Sequence, residues 1–395
     1  MAKSLRSLRG DNSLTWEKPA EYTVKYSYMH GKPVKALTIT LNPTGCIWAK
    51  SGGCTMCGEF EGSTKDGSIP DYIHVAQFAK AIADLVSVYN PTWLRINQEG
   101  NYANSVETAS IAQTTILKLA TQIKGIKRIT IESRPQYLTE AILKEYANIV
   151  SKHNIELEIG MGFEAADDVV RNVCINKGET LNDFRRAVEL MTFHNIRSLA
   201  YVLLKPPFLT EKESIDVAVQ SILTATEMGF KRISLEPVSI HRFTIVDALA
   251  RMNYYHVPWF WSIINVVEQC KETHDLGIGG VGYFPPPLHQ AHNRCNHCNT
   301  TVAKALAEYA KTRDTSVFRS LSCGCKLEWE EECYTENTST LTERINLQLD
   351  SININDYRAQ IERADTQIPT EQTLGDSIFI ARDSQLQNVT IGGRS

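Results

Sequence analysis

Hydrophobic positions along the chain follow two alternating rhythms. Six short runs rich in β-branched and aliphatic residues, ALTITLN (36–42), WLRINQ (93–98), RITIES (128–133), IELEIGMG (155–162), LAYVLLK (199–205) and RISLEPV (232–238), read as strands of the kind that helices cover. Between them, residues 73–89, 106–123, 139–152, 166–192 and 212–229 place apolar side chains at three- and four-residue intervals, the period of a helix with one buried face. Thr210 with Glu213 has the spacing of a capping box, and Gly125 and Gly229 stand where helices should stop. Strand, crossover helix and parallel strand in this order predict an α/β fold, a partial (βα)6 TIM-like barrel rather than a closed eight-fold one. In such a barrel the chemistry belongs at the C-terminal ends of the strands.

Beyond residue 240 the rhythm changes. Two aromatic-rich helical stretches, HRFTIVDALARMNYY and VPWFWSIINVVEQC, lead through a GIGG–PPP loop (277–287) into a cysteine-rich region. The reading divides the chain into an N-terminal extension (1–34), the barrel (35–285), a C-terminal cysteine-rich metal module (286–335) and an appendage or partly ordered tail (336–395). In that tail INLQLDSININ (345–355) alternates, as does SIFIARD (377–383), which points to a small β-like piece.

Composition narrows the class. The 395 residues are 43% hydrophobic and 22% charged, enough for a large core. The start of the chain lacks the apolar core of a secretory signal, and no run of about 18 apolar residues predicts a membrane span, so the expected address is the cytoplasm. A net charge of −4 gives no overall positive field for nucleic acid, although Lys3, Arg6, Arg9, Lys18, Lys25, Lys32 and Lys35 offer a local patch. Ten cysteines are too few for a disulfide scaffold at this length, and clustered thiols in a reducing compartment hold metal or do redox work.

Seven of the ten fall into two groups. Cys46, Cys54 and Cys57, in GCIWAKSGGCTMCGE (45–59), directly follow the first apolar run. Three thiolates on a [4Fe–4S] cube leave one iron open to a substrate or cofactor, which four would not. Gly45, Gly52, Gly53 and Gly58 permit the tight backbone turns that wrapping a cube requires. Cys295-x2-Cys298 and Cys323-x-Cys325 form two pairs whose convergence gives the four-thiolate set of a structural zinc site. His292, His297 and Cys333 lie close by, which leaves the fourth ligand open, and a second iron–sulfur cluster is the alternative. Cys174 and Cys270 lie in helical patterns and are expected to be buried thiols.

A C-x7-C-x2-C loop after the first strand of a (βα)6 barrel resembles the radical S-adenosylmethionine superfamily. Within it, TGCIWAKSGGCTMCGE, IESRPQYLT (131–139), EIGMGFEAADDVVRNVCINKG (158–178), YVLLKPPFLTEKE (201–213), ISLEPV (233–238) and PWFWSII (258–264) are similar to the archaeosine-forming radical enzymes (RaSEA), relatives of the elongator-type tRNA-modifying radical proteins. The resemblance spans roughly residues 35–335. It implies a [4Fe–4S] cluster and S-adenosyl-L-methionine as cofactors, and it supports the expectation of Zn in the second cysteine group. It implies as substrate a lysine-bearing 7-deazaguanine in the D-arm of tRNA, cleaved at the lysyl carbon–nitrogen bond to archaeosine after hydrogen abstraction by a 5′-deoxyadenosyl radical. Its implied partners are tRNA, a lysine-adding tRNA transferase and an electron donor such as ferredoxin or flavodoxin, with no membrane.

The resemblance also directs attention to the strand ends. Glu99 and Asn101, after the second strand, stand where the superfamily often contacts the cofactor's amino group. Alternation places Glu132 and Arg134, after the third, on one side. Glu164, Lys205 and Glu236 end the fourth, fifth and sixth strands and complete the expected cofactor or substrate contacts. The competing readings are another tRNA- or DNA-base-modifying radical enzyme, and a non-catalytic zinc-bound nucleic-acid or protein-binding scaffold.

Overall fold

The computed structural model describes residues 1–9, 21–42, 45–58, 70–279, 287–295, 297–335 and 338–366. Eight strands form one sheet in sequence order: β1 (Glu21–Met29), β2 (Lys32–Thr40), β3 (Trp93–Asn97), β4 (Arg128–Glu132), β5 (Glu156–Glu164), β6 (Arg197–Leu204), β7 (Arg232–Pro237) and β8 (Leu276–Ile278). β1 and β2 pair antiparallel, and every later pair is parallel. The helices are α1 (Ala2–Arg6), α2 (Ile47–Lys50), α3 (Asp71–Tyr89), α4 (Ser110–Thr121), α5 (Glu140–Val150), α6 (Leu181–Phe193), α7 (Glu211–Glu227), α8 (Ile245–Arg251), α9 (Phe260–Gln269), α10 (Asn299–Thr312), α11 (Cys325–Tyr334), α12 (Leu341–Asp350) and α13 (Ile354–Thr366).

Alternation along the strands sorts side chains to the two faces of the sheet. Leu37, Ile39, Leu94, Ile96, Ile129, Ile131, Leu157, Ile159, Val202 and Leu235 are buried in the main core with α3 to α7. The opposite face is polar. Arg232 of β7 stacks on the ring of Trp93 of β3 at 4.8 Å, and Tyr201 of β6 bonds Glu132 of β4 at 2.5 Å. Strands so far apart in the sheet order meet in this way because the sheet curls, as parallel strands twisting under covering helices do. Glu158 is fully buried at the floor of this lumen, hydrogen-bonded to Arg232 at 2.6 Å and within 4 Å of Arg128 and Arg197. Burial opposes its charge, but the three guanidiniums hold its carboxyl down at about 2.

Among the described residues β1 and β8 do not pair. α10 fills the gap, packing on β1, β2 and β8, with Tyr309 Oη donating to Leu276 O at 2.8 Å and Arg313 over the ring of Tyr28 at 5.2 Å. The barrel is therefore partial, and the cysteine-rich module that carries α10 is part of its wall.

Residues 1–34 contribute a strand to the sheet: β1 returns as β2 through His30 (φ 50) and Gly31 (φ 80), two consecutive left-handed residues of a tight hairpin. Two expectations need correcting. Residues 166–192 are not one helix but a single π turn at Val170–Cys174 and then α6, separated by Asn176 (φ 60) and Gly178 (φ 75) and restarted by the Thr180–Asp183 capping box. The stretch 345–355 is not β-like. Thr340 and Glu343 cap α12, Ile345 is buried, and Leu347, which creates the apparent alternation, is 62% exposed. Ile345, with Tyr357 and Ile361 of α13, packs into a second core beside Leu5, Ala49, Val170 and Leu249. SIFIARD lies outside the described residues. No helix among them is long and apolar enough to cross a membrane.

Candidate functional site

The first cysteine group occupies the loop after β2, at the C-terminal end of the strands. Cys46 is the N-cap of α2, a single turn, and the loop then reverses through Gly52 (φ 134) and Gly53 (φ 65) to Cys54 and Cys57. Four distant segments hold it. Arg6 of α1 donates to Ala49 O (3.0 Å), Cys54 O (2.6 Å) and Cys57 O (3.4 Å). A side chain at residue 53 would collide with this guanidinium, so glycine is required there on two counts. Asn176 Nδ2 donates to Gly53 O at 2.8 Å, Thr55 Oγ1 donates to Cys174 O at 2.7 Å, and Thr55 N donates to Ile175 O at 2.9 Å. The carbonyl of Thr55 accepts from Ile245 N at the start of α8, 3.0 Å away. Arg6 is thus committed to the loop, and Arg9 is buried as well, so neither joins the basic surface patch the sequence offered; Lys18 lies outside the described residues.

Glu107 organises the side of the loop facing β3. Its carboxylate accepts from Ile47 N (3.1 Å), Asn101 Nδ2 (2.8 and 2.9 Å) and Asn104 Nδ2 (2.8 Å). Asn101 in turn approaches Cys46 Sγ at 3.7 Å and accepts from Arg134 N at 2.9 Å, tying the ends of β3 and β4 to the first thiol. Beyond it runs a buried charge row. Arg134 Nε meets Glu179 at 2.5 Å, its guanidinium lies 4.8 Å over the ring of Trp48, and Lys177 Nζ meets Glu164 at 2.9 Å. Burial pushes the Cys54 thiol up to about 11, against the pull of Lys177 and Arg134. Burial and then Glu107 raise Cys46. Burial opposes the charge on Lys177, yet Glu164 and Glu179 outweigh it and hold the ammonium above its ordinary range.

The strand-end residues divide. Asn101, Arg134 and Glu164 gather around the cysteine loop. Glu99 is buried where β3 ends, Glu132 bonds Tyr201 inside the lumen, and Glu236 accepts from Ser234 Oγ at 2.7 Å. Lys205 instead pairs with Glu211 of α7 and lies 3.8 Å from Glu332 of α11, within a network that also takes Trp259 and Ser262. Glu99, Glu164 and Lys205 share φ values of 53, 60 and 62, left-handed conformations that side chains rarely adopt and that concentrate at functional sites. Glu107, Lys177, Glu179 and Tyr201 escaped the sequence reading, because they sit in connections or mid-strand, where spacing carries no signal.

The second group is compact. The sulfurs of Cys295, Cys298, Cys323 and Cys325 lie within 4.8 Å of one another, with neighbouring separations of 3.4, 3.6 and 3.6 Å. One tetrahedral ion with metal–sulfur bonds of ~2.3 Å needs edges of about 3.8 Å, so the donor set is sized for a single ion. Both pairs lie at helix starts, those of α10 and α11, where the backbone favours thiolates. Asn293 Nδ2 and Trp261 Nε1 point at Cys298 and Cys325 from 3.1 and 3.4 Å. Of the candidates that spacing left open, these four are the ones brought together. Cys333 is buried apart, and His292 Nδ1 engages Gln290 O. Cys174 and Cys270 are buried free thiols, as expected.

No protein-family model matches the chain. It is 31% identical over 312 residues to an uncharacterized protein of Methanocaldococcus jannaschii, covering 77% of this chain and 83% of that one. The archaeosine synthase subunit beta of Thermococcus kodakarensis is 28% identical over 309 residues, covering 76% and 92%. That of Methanosarcina acetivorans is 30% identical over 315 residues, covering 79% and 89%. Identity sustained at this level over most of both chains makes the protein a member of the archaeosine synthase subunit beta family.

Proposed function

We propose that the protein is a radical S-adenosylmethionine enzyme that converts a lysyl adduct of 7-deazaguanine in tRNA to archaeosine by breaking the lysyl carbon–nitrogen bond. The observation that carries this reading is the three-thiol loop at the mouth of a partial barrel, in a chain of the archaeosine synthase subunit beta family. The residues fit a [4Fe–4S] cluster with one iron free of protein ligand. Cys46, Cys54 and Cys57 would hold it; glycines at 45, 52 and 53 adopt the positive φ that wrapping needs, and Asn101, Arg134 and Lys177 offer donors and positive charge toward the thiolates. Bound with S-adenosylmethionine, such a cluster supplies the electron that releases a carbon radical able to take hydrogen from the lysyl carbon next to the terminal nitrogen.

The chain's own part is placement. Arg6, Thr55 and Asn176 fix the loop backbone, and Glu107 with Asn101 fixes its first thiol against β3 and β4. Glu99, Arg134, Glu164 and Glu236 are the candidates to orient cofactor and substrate, and the lumen walls keep water from a reactive centre. Loss of one further electron, returned to the cluster, would turn the lysyl carbon radical into a C=N bond, and addition of one water there would release the lysyl chain as its aldehyde and leave the nitrogen on the base as the formamidine of archaeosine. Zinc in the compact four-cysteine set would be structural. A lysine-adding transferase would supply the substrate and a ferredoxin or flavodoxin the electron.

Iron, labile sulfide and low-temperature electron paramagnetic resonance, measured on protein purified without oxygen, test the first half. About four irons per chain, lost when Cys46, Cys54 and Cys57 are all changed to Ala, and a spectrum altered by S-adenosylmethionine are expected. Mass spectrometry of tRNA carrying the lysyl adduct tests the second half. Zinc alone, indifferent to the cofactor, would leave a metal-bound scaffold and sink the proposal.

A further inference from the structure

Against the arginine–Glu158 floor, the lumen carries a second polar layer that the loop and the cysteine groups do not use. It consists of Arg95 of β3, Glu132 of β4, Tyr201 of β6, and Ser234 and Glu236 of β7. Its bonding differs from that of the floor. Glu158 meets guanidiniums directly, whereas Glu132 takes a hydrogen bond from the neutral Tyr201 hydroxyl at 2.5 Å; among the contacts of Glu236 is the Ser234 hydroxyl at 2.7 Å. Arg95 makes no ion pair within 4 Å among the described residues. Its Nη2 bonds Ser27 Oγ at 3.0 Å, its plane rests 4.4 Å over Trp93, and its buried Nε has no hydrogen-bond partner. A half-buried guanidinium whose buried Nε has no partner is a receptor for a carboxylate, the anion whose two oxygens match its fork.

Two glycines make room for this layer. A Cβ at Gly160 would strike the Tyr201 ring, and one at Gly279 would strike the Glu236 carboxylate. Both side chains therefore lie close against backbone. Arg95 sits two residues below the end of β3, a depth of about 7 Å by strand rise, which a four-carbon stem spans.

We propose that this layer is the receptor for the α-amino-acid end of the substrate's lysyl chain, with Arg95 taking the α-carboxylate and Glu132 and Glu236 facing the α-ammonium. The assignment rests on the lysyl-adduct reading above, and it orients that substrate: base at the mouth beside the cysteine loop, amino-acid end down in the lumen. One cation set among two acids is the complement of a zwitterion, and it would disfavour a stem that ends without its carboxylate, because the buried Nε of Arg95 would then stay unmatched.

The test compares the complete, cluster-loaded protein on two tRNA substrates, one carrying the lysyl adduct and one the adduct of 1,5-diaminopentane, which lacks only the carboxylate. The wild type is expected to prefer the lysyl adduct in kcat/KM by about 10- to 100-fold, the range for a hydrogen bond to a charged group. Arg95→Ala should lose a similar factor on the lysyl adduct and almost nothing further on the diamine adduct. Arg95→Lys, which keeps the charge, should recover part of the preference. Iron content and thermal melting verify that the variants fold. Equal use of both adducts by the wild type, or undiminished preference in Arg95→Ala, overturns the assignment while the reading of the reaction stands. No formamidine from the lysyl adduct, with cluster and S-adenosylmethionine cleavage intact, overturns both.

Discussion

The two cysteine groups use the same side chain to opposite ends. Cys295, Cys298, Cys323 and Cys325 converge within 4.8 Å and complete a ligand set by themselves. Cys46, Cys54 and Cys57 are wrapped by a glycine-rich turn whose shape is imposed from outside by Arg6, Asn176, Thr55 and Glu107. A closed set contributes its binding energy to folding, while an open set needs the fold to hold it and leaves a coordination position for chemistry. Completeness of the ligands thus separates structure from function better than the count of cysteines does.

The sharpest way to break this contrast is to open the closed set. Cys298→Ser, or removal of the metal with a strong chelator, should destabilise the fold by several kcal/mol, a fall of about 10 °C or more in Tm, because α10 starts at this cysteine and fills the gap between β1 and β8. Changing all three loop cysteines to Ala should shift Tm far less; equal shifts in thermal melts of the two proteins would erase the distinction. A middle-sized effect is expected from Glu107→Gln. Its carboxylate accepts from three residues, and an amide with a single acceptor oxygen forfeits about 1–3 kcal/mol of that network; iron retained after anaerobic reconstitution should drop while the zinc content stays constant. The smallest effect belongs to Tyr357→Phe. Its hydroxyl takes Phe243 N–H at 2.8 Å and donates to Asp247 at 2.5 Å, so its removal should lower Tm by about 2–4 °C with iron loading unchanged. A loss of iron in that variant would show that α13 controls the loop.

Much of the barrel was legible because its strands carry their own label. Ile129 and Ile131, or Leu157 and Ile159, mark one face of a strand whatever they pack against, and the observed strands start within a few residues of the predicted ones. Cysteine spacing was equally local. What escaped depends on partners remote in the chain. Glu107 is an ordinary polar residue until Ile47 and Asn101 are folded against it, and Lys177 looks solvated until Glu164 arrives. Leu347 misled in the other direction: three alternating apolar residues imitated a strand where a capped helix leaves the middle one in water. Lys205 was placed at the right strand end, but the pull of Glu211 on the next helix decides where its ammonium goes.

The bracing of the cysteine loop fixes the order of events in making the protein. Its supports come from residue 6, from residues 174–176 and from residue 245, so the loop cannot take its shape until two thirds of the chain has left the ribosome. Contacts spanning such distances close late in folding. Until then Cys46, Cys54 and Cys57 ride on an unsupported segment, so the cluster proposed for them would have to be assembled on a nearly finished barrel, and the growing chain passes through a window in which these three thiols are open to oxidation.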